Sequence, residues 1–154
     1  METIMIRFDR FTKSAQEVAQ RAAEIMQRYS HNQIDTEHQL LALIEQPQGG
    51  ISQLLEFLKV DAKALSERLD DILRTSPKGD IVEVGAGQIS ITPRVAQILD
   101  LAIEESNRLK DELISNEHLF LAMFSEHDTP AARLLEGAGL TRDRVYDAIQ
   151  QMRG

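Results

Sequence analysis

The chain has 154 residues, of which 42% are hydrophobic and 27% are charged, and this size allows a full hydrophobic core. With 25 acidic residues against 17 basic ones, a formal net charge of −8 and no run of Lys or Arg, we expect neither nucleic acid nor an anionic membrane surface as a partner. The absence of Cys excludes disulfides and thiolate metal sites, and no stretch resembles a signal peptide or a membrane span, so we expect a cytoplasmic location.

The sequence contains two copies of one unit of about sixty residues. Shifting it by 80 positions aligns it with itself, without a gap, from Phe11 on Ile91 to Leu69 on Ile149. An internal duplication of this kind predicts two copies of one structural unit. The identical pairs are Thr12/Thr92, Ala22/Ala102, Glu24/Glu104, Arg28/Arg108, Ile34/Ile114, Glu37/Glu117, His38/His118, Leu41/Leu121, Ala42/Ala122, Leu54/Leu134, Leu55/Leu135 and Glu56/Glu136.

The first helix of each copy is indicated by apolar residues at helical spacing and by a capping threonine. In the second copy, Thr92 precedes a Pro at the first helical position, which is a strong start signal. By analogy, Thr12 is expected to cap the first helix of the first copy, although Ser14-x-x-Glu17 is a competing capping box.

Three further helices follow in each copy. The second is predicted to begin near Asp35 or Ser115, and a short third helix in the second copy opens at Thr129-Pro130 and closes at Gly137. The fourth helices are expected to be capped by the equivalent residues Asp61 and Thr141.

These patterns predict an all-α fold, in which two four-helix repeats related by a pseudo-twofold axis form one compact domain over residues 8–154. We place repeat 1 at 11–74, a linker at 75–90, repeat 2 at 91–152 and a short extension at 1–7. The linker contains Gly and Pro and reads as a loop, with one short strand at most over 81–84.

Motifs for catalysis are missing from the sequence. It has no GxxxxGK[ST], HExxH or CxxC, and the four histidines show no ligand spacing within a helix. We therefore expect no enzyme activity and no metal or cofactor in this chain. A metal-assisted hydrolase would have to bring His38 and His118 together across the pseudo-twofold axis, with the neighbouring glutamates.

The repeated Glu-His doublet opens the second helix of each copy. Adjacent helical residues point about 100° apart, so Glu37 and His38 do not readily share one reacting group. The histidines are interpreted as half-buried imidazoles that bond to the backbone. The glutamates have two open interpretations. An acid in the first turn faces the positive helix end; alternatively, a carboxylate beside a capping threonine would form a small pocket for a guanidinium group. Spacing alone does not decide whether Thr12 ends near Glu37.

The sequence resembles the duplicated N-terminal domain of Clp-type ATP-dependent unfoldases, of the ClpC-like and ClpB-like kinds. The segments that carry the resemblance are RFTKSAQEVAQRAAE, TEHQLLALI with its echo SNEHLFLAM, and TPRVAQILDLAIEE, and it extends from Phe8 to Gly154. The resemblance implies a domain without its own catalysis that recruits unfolded or tagged substrates and adaptor proteins for an ATPase ring. ATP and Mg²⁺ would belong to absent modules, in a hexameric parent that works with a Clp peptidase, whereas the isolated domain is expected to be monomeric.

The resemblance also implies site residues. In ClpC-like relatives the Thr of RFT and the Glu of TEH hold phosphoarginine tags once per repeat, which corresponds here to Thr12 with Glu37 and to Thr92 with Glu117. Asp35 stands where the family most often has Gly, and its extra carboxylate is expected to repel a phosphate. The family also recruits through exposed apolar grooves, for which the candidates are Phe8, Phe11, Ile89 and Ile91; core packing is the alternative for these four.

A second class of function stays open, in which the chain is a stand-alone regulator acting in trans on a Clp machine. Continuation of the reading frame into a GxxxxGK[ST] segment would distinguish a recruiting domain from such a regulator.

Overall fold

The structure is a computed structural model that describes residues 8–47, 49–76 and 90–153. In these ranges the chain forms a short 3-10 helix, Phe8–Arg10, followed by eight α-helices. Most of the predicted linker, the possible strand at 81–84 and the extension at 1–7 lie outside the described residues. The helices are α1 Lys13–Arg28, α2 Thr36–Glu45, α3 Ile51–Phe57, α4 Ala62–Thr75, α5 Pro93–Arg108, α6 Asn116–Met123, α7 Pro130–Gly137 and α8 Arg142–Arg153.

The helix starts follow the capping residues. The Thr12 hydroxyl accepts a hydrogen bond from the Ala15 backbone N–H at 3.1 Å, so Thr12 rather than Ser14 caps α1. Thr92 caps α5 and Thr129 caps α7 in the same way. Each of these hydroxyls satisfies an N–H group that has no partner within its own helix.

The two repeats are joined by backbone pairing between their equivalent segments. Phe11 forms an isolated parallel bridge with Ile114, and Ile91 forms the matching bridge with Ile34. The Thr12 N–H donates to the Ile114 carbonyl at 2.9 Å, and the Thr92 N–H donates to the Ile34 carbonyl at 3.0 Å. Each residue of the second bridge is the repeat counterpart, 80 positions away, of a residue of the first bridge, so the predicted pseudo-twofold relation is confirmed.

The core lies around α2 and α6, which pack against each other at the centre of the domain. Every residue of α2 from Thr36 to Ile44 is buried, and α6 is buried except for the partly exposed Glu117. The largest side chains sealed in this core include Phe120, Ile25, Leu40, Leu43, Ile51 and Leu54. None of the helices in the described ranges combines the length and the apolar character needed to cross a bilayer.

Of the four candidates for an apolar groove, the two whose side chains the structure describes pack against the core. Phe11 is 7% exposed and belongs to the core, and Ile91 is half-buried and packs against the same core. Both residues precede a helix and form the inter-repeat bridges, which draws their side chains inward. The side chain of Phe8 and all of Ile89 lie outside the described part of the chain.

Gly49 allows the repeats to approach closely, and we expect Gly49→Ala to lower the free energy of unfolding by about 1–3 kcal/mol. A Cβ at Gly49 would lie 2.7 Å from Asn116 Nδ2, and that buried amide already donates to the Gly49 carbonyl at 3.0 Å. Urea unfolding measures the loss. Gly137→Ala is the matched control, because a Cβ there meets open space and should leave stability unchanged or slightly raised. Equal stability of both variants would contradict this packing.

Candidate functional site

The predicted site residues form two notches between the repeats, but the pairing is crossed. Thr92 lies beside the doublet of repeat 1, where its hydroxyl donates to Asp35 Oδ1 at 3.1 Å. Thr12 lies beside the doublet of repeat 2, through its backbone bond to Ile114. The pairing of Thr12 with Glu37 and of Thr92 with Glu117 is therefore corrected. The inter-repeat bridges bring each capping threonine to the doublet segment of the other repeat.

The first notch consists of Thr92, Arg94, Asp35, Thr36 and Glu37. Asp35 accepts hydrogen bonds from Thr92 and from the Thr36 N–H, and its second oxygen forms an ion pair with Arg94. The charge of Asp35 is thus offset by a cation from α5, and the expected repulsion of a phosphate stays a prediction. Asp35 and Arg94 are the charged groups that this notch presents to solvent.

Glu37 is turned into the protein. Glu37 as a residue is 6% exposed, and its carboxylate accepts a hydrogen bond from the Thr36 hydroxyl at 2.6 Å. Burial raises the pKa of Glu37, although the Thr36 hydroxyl and the nearby Arg94 oppose this rise. Glu37 therefore supports the floor of the first notch, while Asp35 forms its accessible edge.

The second notch consists of Thr12, Asp111, Glu117 and Arg153, and it opens into a cleft of about 430 Å³. Glu117 is 34% exposed, and its Oε2 accepts from Arg153 Nε at 3.1 Å and from Nη2 at 2.5 Å. Arg153 Nη1 donates to Asp111 at 3.2 Å. Burial alone would raise the pKa of Asp111, but hydrogen bonds from His118 and Arg153 lower it overall, so Asp111 is ionised at neutral pH. The second notch already holds a guanidinium group.

Both doublet histidines bond to the backbone, as predicted. His38 Nδ1 accepts from the Asp35 N–H at 2.8 Å, and His118 Nδ1 accepts from the Ser115 N–H at 2.7 Å. In each neutral ring Nε2 therefore carries the proton and donates it within the same repeat. The acceptors are His31 Nδ1 for His38 and Asp111 Oδ2 for His118, each at 2.8 Å.

These contacts use both nitrogens of each ring, so the hypothesis that His38 and His118 meet at a metal does not match the geometry. Within the residues that the structure describes, no three His, Asp or Glu side chains gather as a metal site. Burial, with a further contribution from His31, lowers the pKa of His38 to about 4. The doublet histidines therefore act as capping groups for α2 and α6.

Arg94 and Arg153 are site residues that the sequence interpretation missed. Arg94 follows the capping Thr92 by two positions, where repeat 1 has Ser14. Arg153 occupies the position of Leu73, which is buried in repeat 1. For Arg153 the available signal was a cation at a position that is apolar in the other repeat, because such a break in the repeat indicates a local role outside the shared core.

The described residues thus form a duplicated, all-helical domain with a pair of notches at its internal twofold. Residues 10–138 match the Clp repeat (R) N-terminal domain, and the chain belongs to this family, the N-terminal domains of Clp-type ATPases.

Relatives of this chain include the negative regulator of genetic competence ClpC/MecB of Bacillus subtilis, 28% identical over 96% of this chain and 17% of the relative. The chloroplastic chaperone ClpC1 of Arabidopsis thaliana is 31% identical over 99% of this chain and 16% of the relative. The chain therefore spans about a sixth of the length of these proteins.

Solved structures show the same fold. The N-terminal domain of Hsp104 from Candida albicans superposes with a TM-score of 0.78 at 19% identity, covering 95% of this chain and 93% of that domain. A ClpV N-domain in complex with a VipB peptide superposes with a TM-score of 0.67 at 16% identity, covering 94% of this chain and 90% of that one.

Proposed function

We propose that this domain recruits protein substrates or adaptors to a Clp-type ATPase by binding guanidinium groups, arginine or phosphoarginine, in its two notches. Family membership supports the recruiting role, and the ClpV N-domain complex is a case in which a domain of this fold carries a peptide. In this proposal the domain performs no catalysis. ATP hydrolysis, hexamer formation and any peptidase partner belong to other modules of the parent protein.

The observation that carries the proposal is the seating of Arg153 on Glu117. Two N–H groups of one guanidinium converge on one carboxylate oxygen, at 3.1 and 2.5 Å, and the third nitrogen reaches Asp111. Charge-assisted bonds from a planar guanidinium are among the more specific polar contacts in proteins. Leu113 is 50% exposed and lines the same cleft, where it offers an apolar contact to a residue beside the bound arginine.

Glu117→Gln is expected to weaken binding of arginine-containing peptides at least about tenfold, which corresponds to about 1.4 kcal/mol. The substitution keeps the size of the side chain but removes the charge that faces the guanidinium, and the partial exposure of Glu117 means the fold should be preserved. Titration calorimetry with an eight-residue peptide that carries one central arginine or phosphoarginine measures the change.

The same titration separates the notches and controls for charge. Asp35→Asn tests the first notch, because Asn still caps α2 but no longer pairs with the guanidinium. Glu104→Gln, at an exposed position of α5 outside the cleft, removes the same charge and should leave affinity unchanged. If Glu117→Gln and Asp35→Asn bind both peptides as tightly as the unmodified domain, the notches are not the binding sites.

A further inference from the structure

Arg153 lies in the second notch, at a position where the two repeats differ in residue type. Its counterpart in repeat 1, Leu73, is buried in the core, whereas the Arg153 side chain is 37% exposed and turns its guanidinium towards Glu117 and Asp111. Its described polar contacts are those with the two carboxylates of the second notch.

The charges around the second notch favour a cation over an anion. The carboxylates of Asp111 and Glu112 line the cleft, Glu117 lies beside it as the partner of Arg153, and Lys110 is the other cation in the lining besides Arg153. Without Arg153 these groups carry three negative charges against one positive charge, because the His118 ring is buried and neutral, with Nδ1 accepting from the backbone and Nε2 donating to Asp111. A phosphoryl group adds roughly −1.5 to −2 charges near neutral pH, so it would be repelled here.

Asp111, which contributes to this excess of negative charge, is specific to repeat 2. The position of Asp111 is held by His31 in repeat 1, and the first notch presents Arg94 together with Asp35. The two notches therefore differ in charge although they are equivalent in backbone. A tag with a phosphate meets fewer carboxylates in the first notch than in the second.

We infer that Arg153 is an intramolecular occupant of the second notch, and that the ligand which replaces it is the unmodified arginine side chain of a partner protein. The inference rests on the proposed function, since it names the ligand class and the regulation of the same site. A partner arginine would take over the contacts to Glu117 and Asp111 with the same chemistry and the same charge. Binding then requires Arg153 to leave.

While Arg153 occupies the notch, a partner arginine cannot bind there. The apparent affinity for the partner is therefore the intrinsic affinity multiplied by the fraction of time for which the notch is vacant. Ion pairs with this degree of exposure are weak, so the notch is vacated often enough for a partner to enter. Removing the occupant should therefore tighten binding of an arginine peptide by about threefold to tenfold.

The test measures peptide affinity for the unmodified domain and for Arg153→Gln by fluorescence anisotropy. Four labelled peptides differ only in the central residue: arginine, phosphoarginine, lysine or citrulline. We expect Arg153→Gln to bind the arginine peptide about threefold to tenfold more tightly than the unmodified domain does. The affinity for the phosphoarginine peptide should rise less, and the affinity for the uncharged citrulline peptide should not change. Arg133→Gln, at an exposed position of α7 outside the cleft, controls for the change in net charge and should leave all affinities unchanged.

The outcomes separate this inference from the proposed function. If Arg153→Gln binds the arginine peptide no more tightly than the unmodified domain, or if the phosphoarginine peptide gains more, the inference is overturned while the recruiting site stands. If neither peptide binds either protein, both fail. The double variant Arg153→Gln with Asp111→Asn tests the second carboxylate. If it loses the tighter binding of the arginine peptide seen in Arg153→Gln, Asp111 contributes to holding the ligand.

Discussion

Arg142→Ala is expected to lower the free energy of unfolding by about 3–5 kcal/mol, because it leaves a buried carboxylate without its main partner. Glu105 on α5 is 3% exposed, and Arg142 on α8 grips both of its oxygens at 3.0 and 2.6 Å. The remaining partner, Arg108, contacts only one oxygen, at 3.1 Å, from a more exposed position. Urea unfolding at pH 7 measures the loss as a lower midpoint with an unchanged slope.

The first repeat supplies a control for this prediction. Ile25 and Ala62 occupy the positions of Glu105 and Arg142, and Ile25 is fully buried. The double substitution Glu105→Ile with Arg142→Ala should therefore recover stability to within about 1 kcal/mol of the unmodified domain, since an apolar pair can replace a buried ion pair. A loss below about 1 kcal/mol in Arg142→Ala alone would show that Glu105 is not held by this contact.

Acidification from pH 7 to pH 4 is expected to cost about 3 kcal/mol of stability through His38 alone. The pKa of His38 is about 4 in the folded domain, against an ordinary value of 6.5. Between these two values the unfolded chain binds more protons than the folded one. The contribution of His38 is therefore complete above pH 6.5 and is lost as the pH falls towards 4. Urea unfolding at half-unit pH steps gives the curve.

Carboxylates also titrate in this pH range. The informative quantity is therefore the difference in the free energy of unfolding between a variant and the unmodified domain at each pH. His31→Asp rebuilds the repeat 2 arrangement, in which Asp111 accepts from His118. A carboxylate beside His38 favours its charged form, so the loss between pH 6.5 and 4 should shrink by about 2 kcal/mol. His127→Asn, at a histidine that is 75% exposed, should follow the unmodified curve. Parallel curves for His31→Asp and the unmodified domain would remove His38 as the source of the acid sensitivity.

Both predictions use the same feature of this domain, namely that repeats with one backbone plan differ in their buried polar groups. Repeat 1 has an apolar Ile25 and an imidazole pair where repeat 2 has the Glu105–Arg142 ion pair and the His118–Asp111 contact. These differences lie beside the notches or between α5 and α8. They give the two notches different charges, and they allow one notch to be altered while the other serves as an internal reference.

Much of the fold was predictable because its determinants are local. Thr12, Thr92 and Asp61 cap helices at the positions that short-range patterns indicate, and the backbone bonds of His38 and His118 follow from their place in the first turn. The duplication added the long-range information that two equivalent units must pack together. Family resemblance rests on the same segments and is confirmed by the match over residues 10–138.

The amino-acid sequence by itself determined eight helices, most of their capping residues, the division into two repeats, and the threonines and glutamates at the notches. Only the tertiary structure decided which threonine faces which doublet, that Glu37 is sealed while Asp35 is presented, and that Arg153 lies on Glu117. The physical reason is that caps and periodicity act over a few neighbouring residues. The crossed arrangement arises from backbone bonds between Thr12 and Ile114 and between Thr92 and Ile34, whose separation along the chain no local pattern encodes.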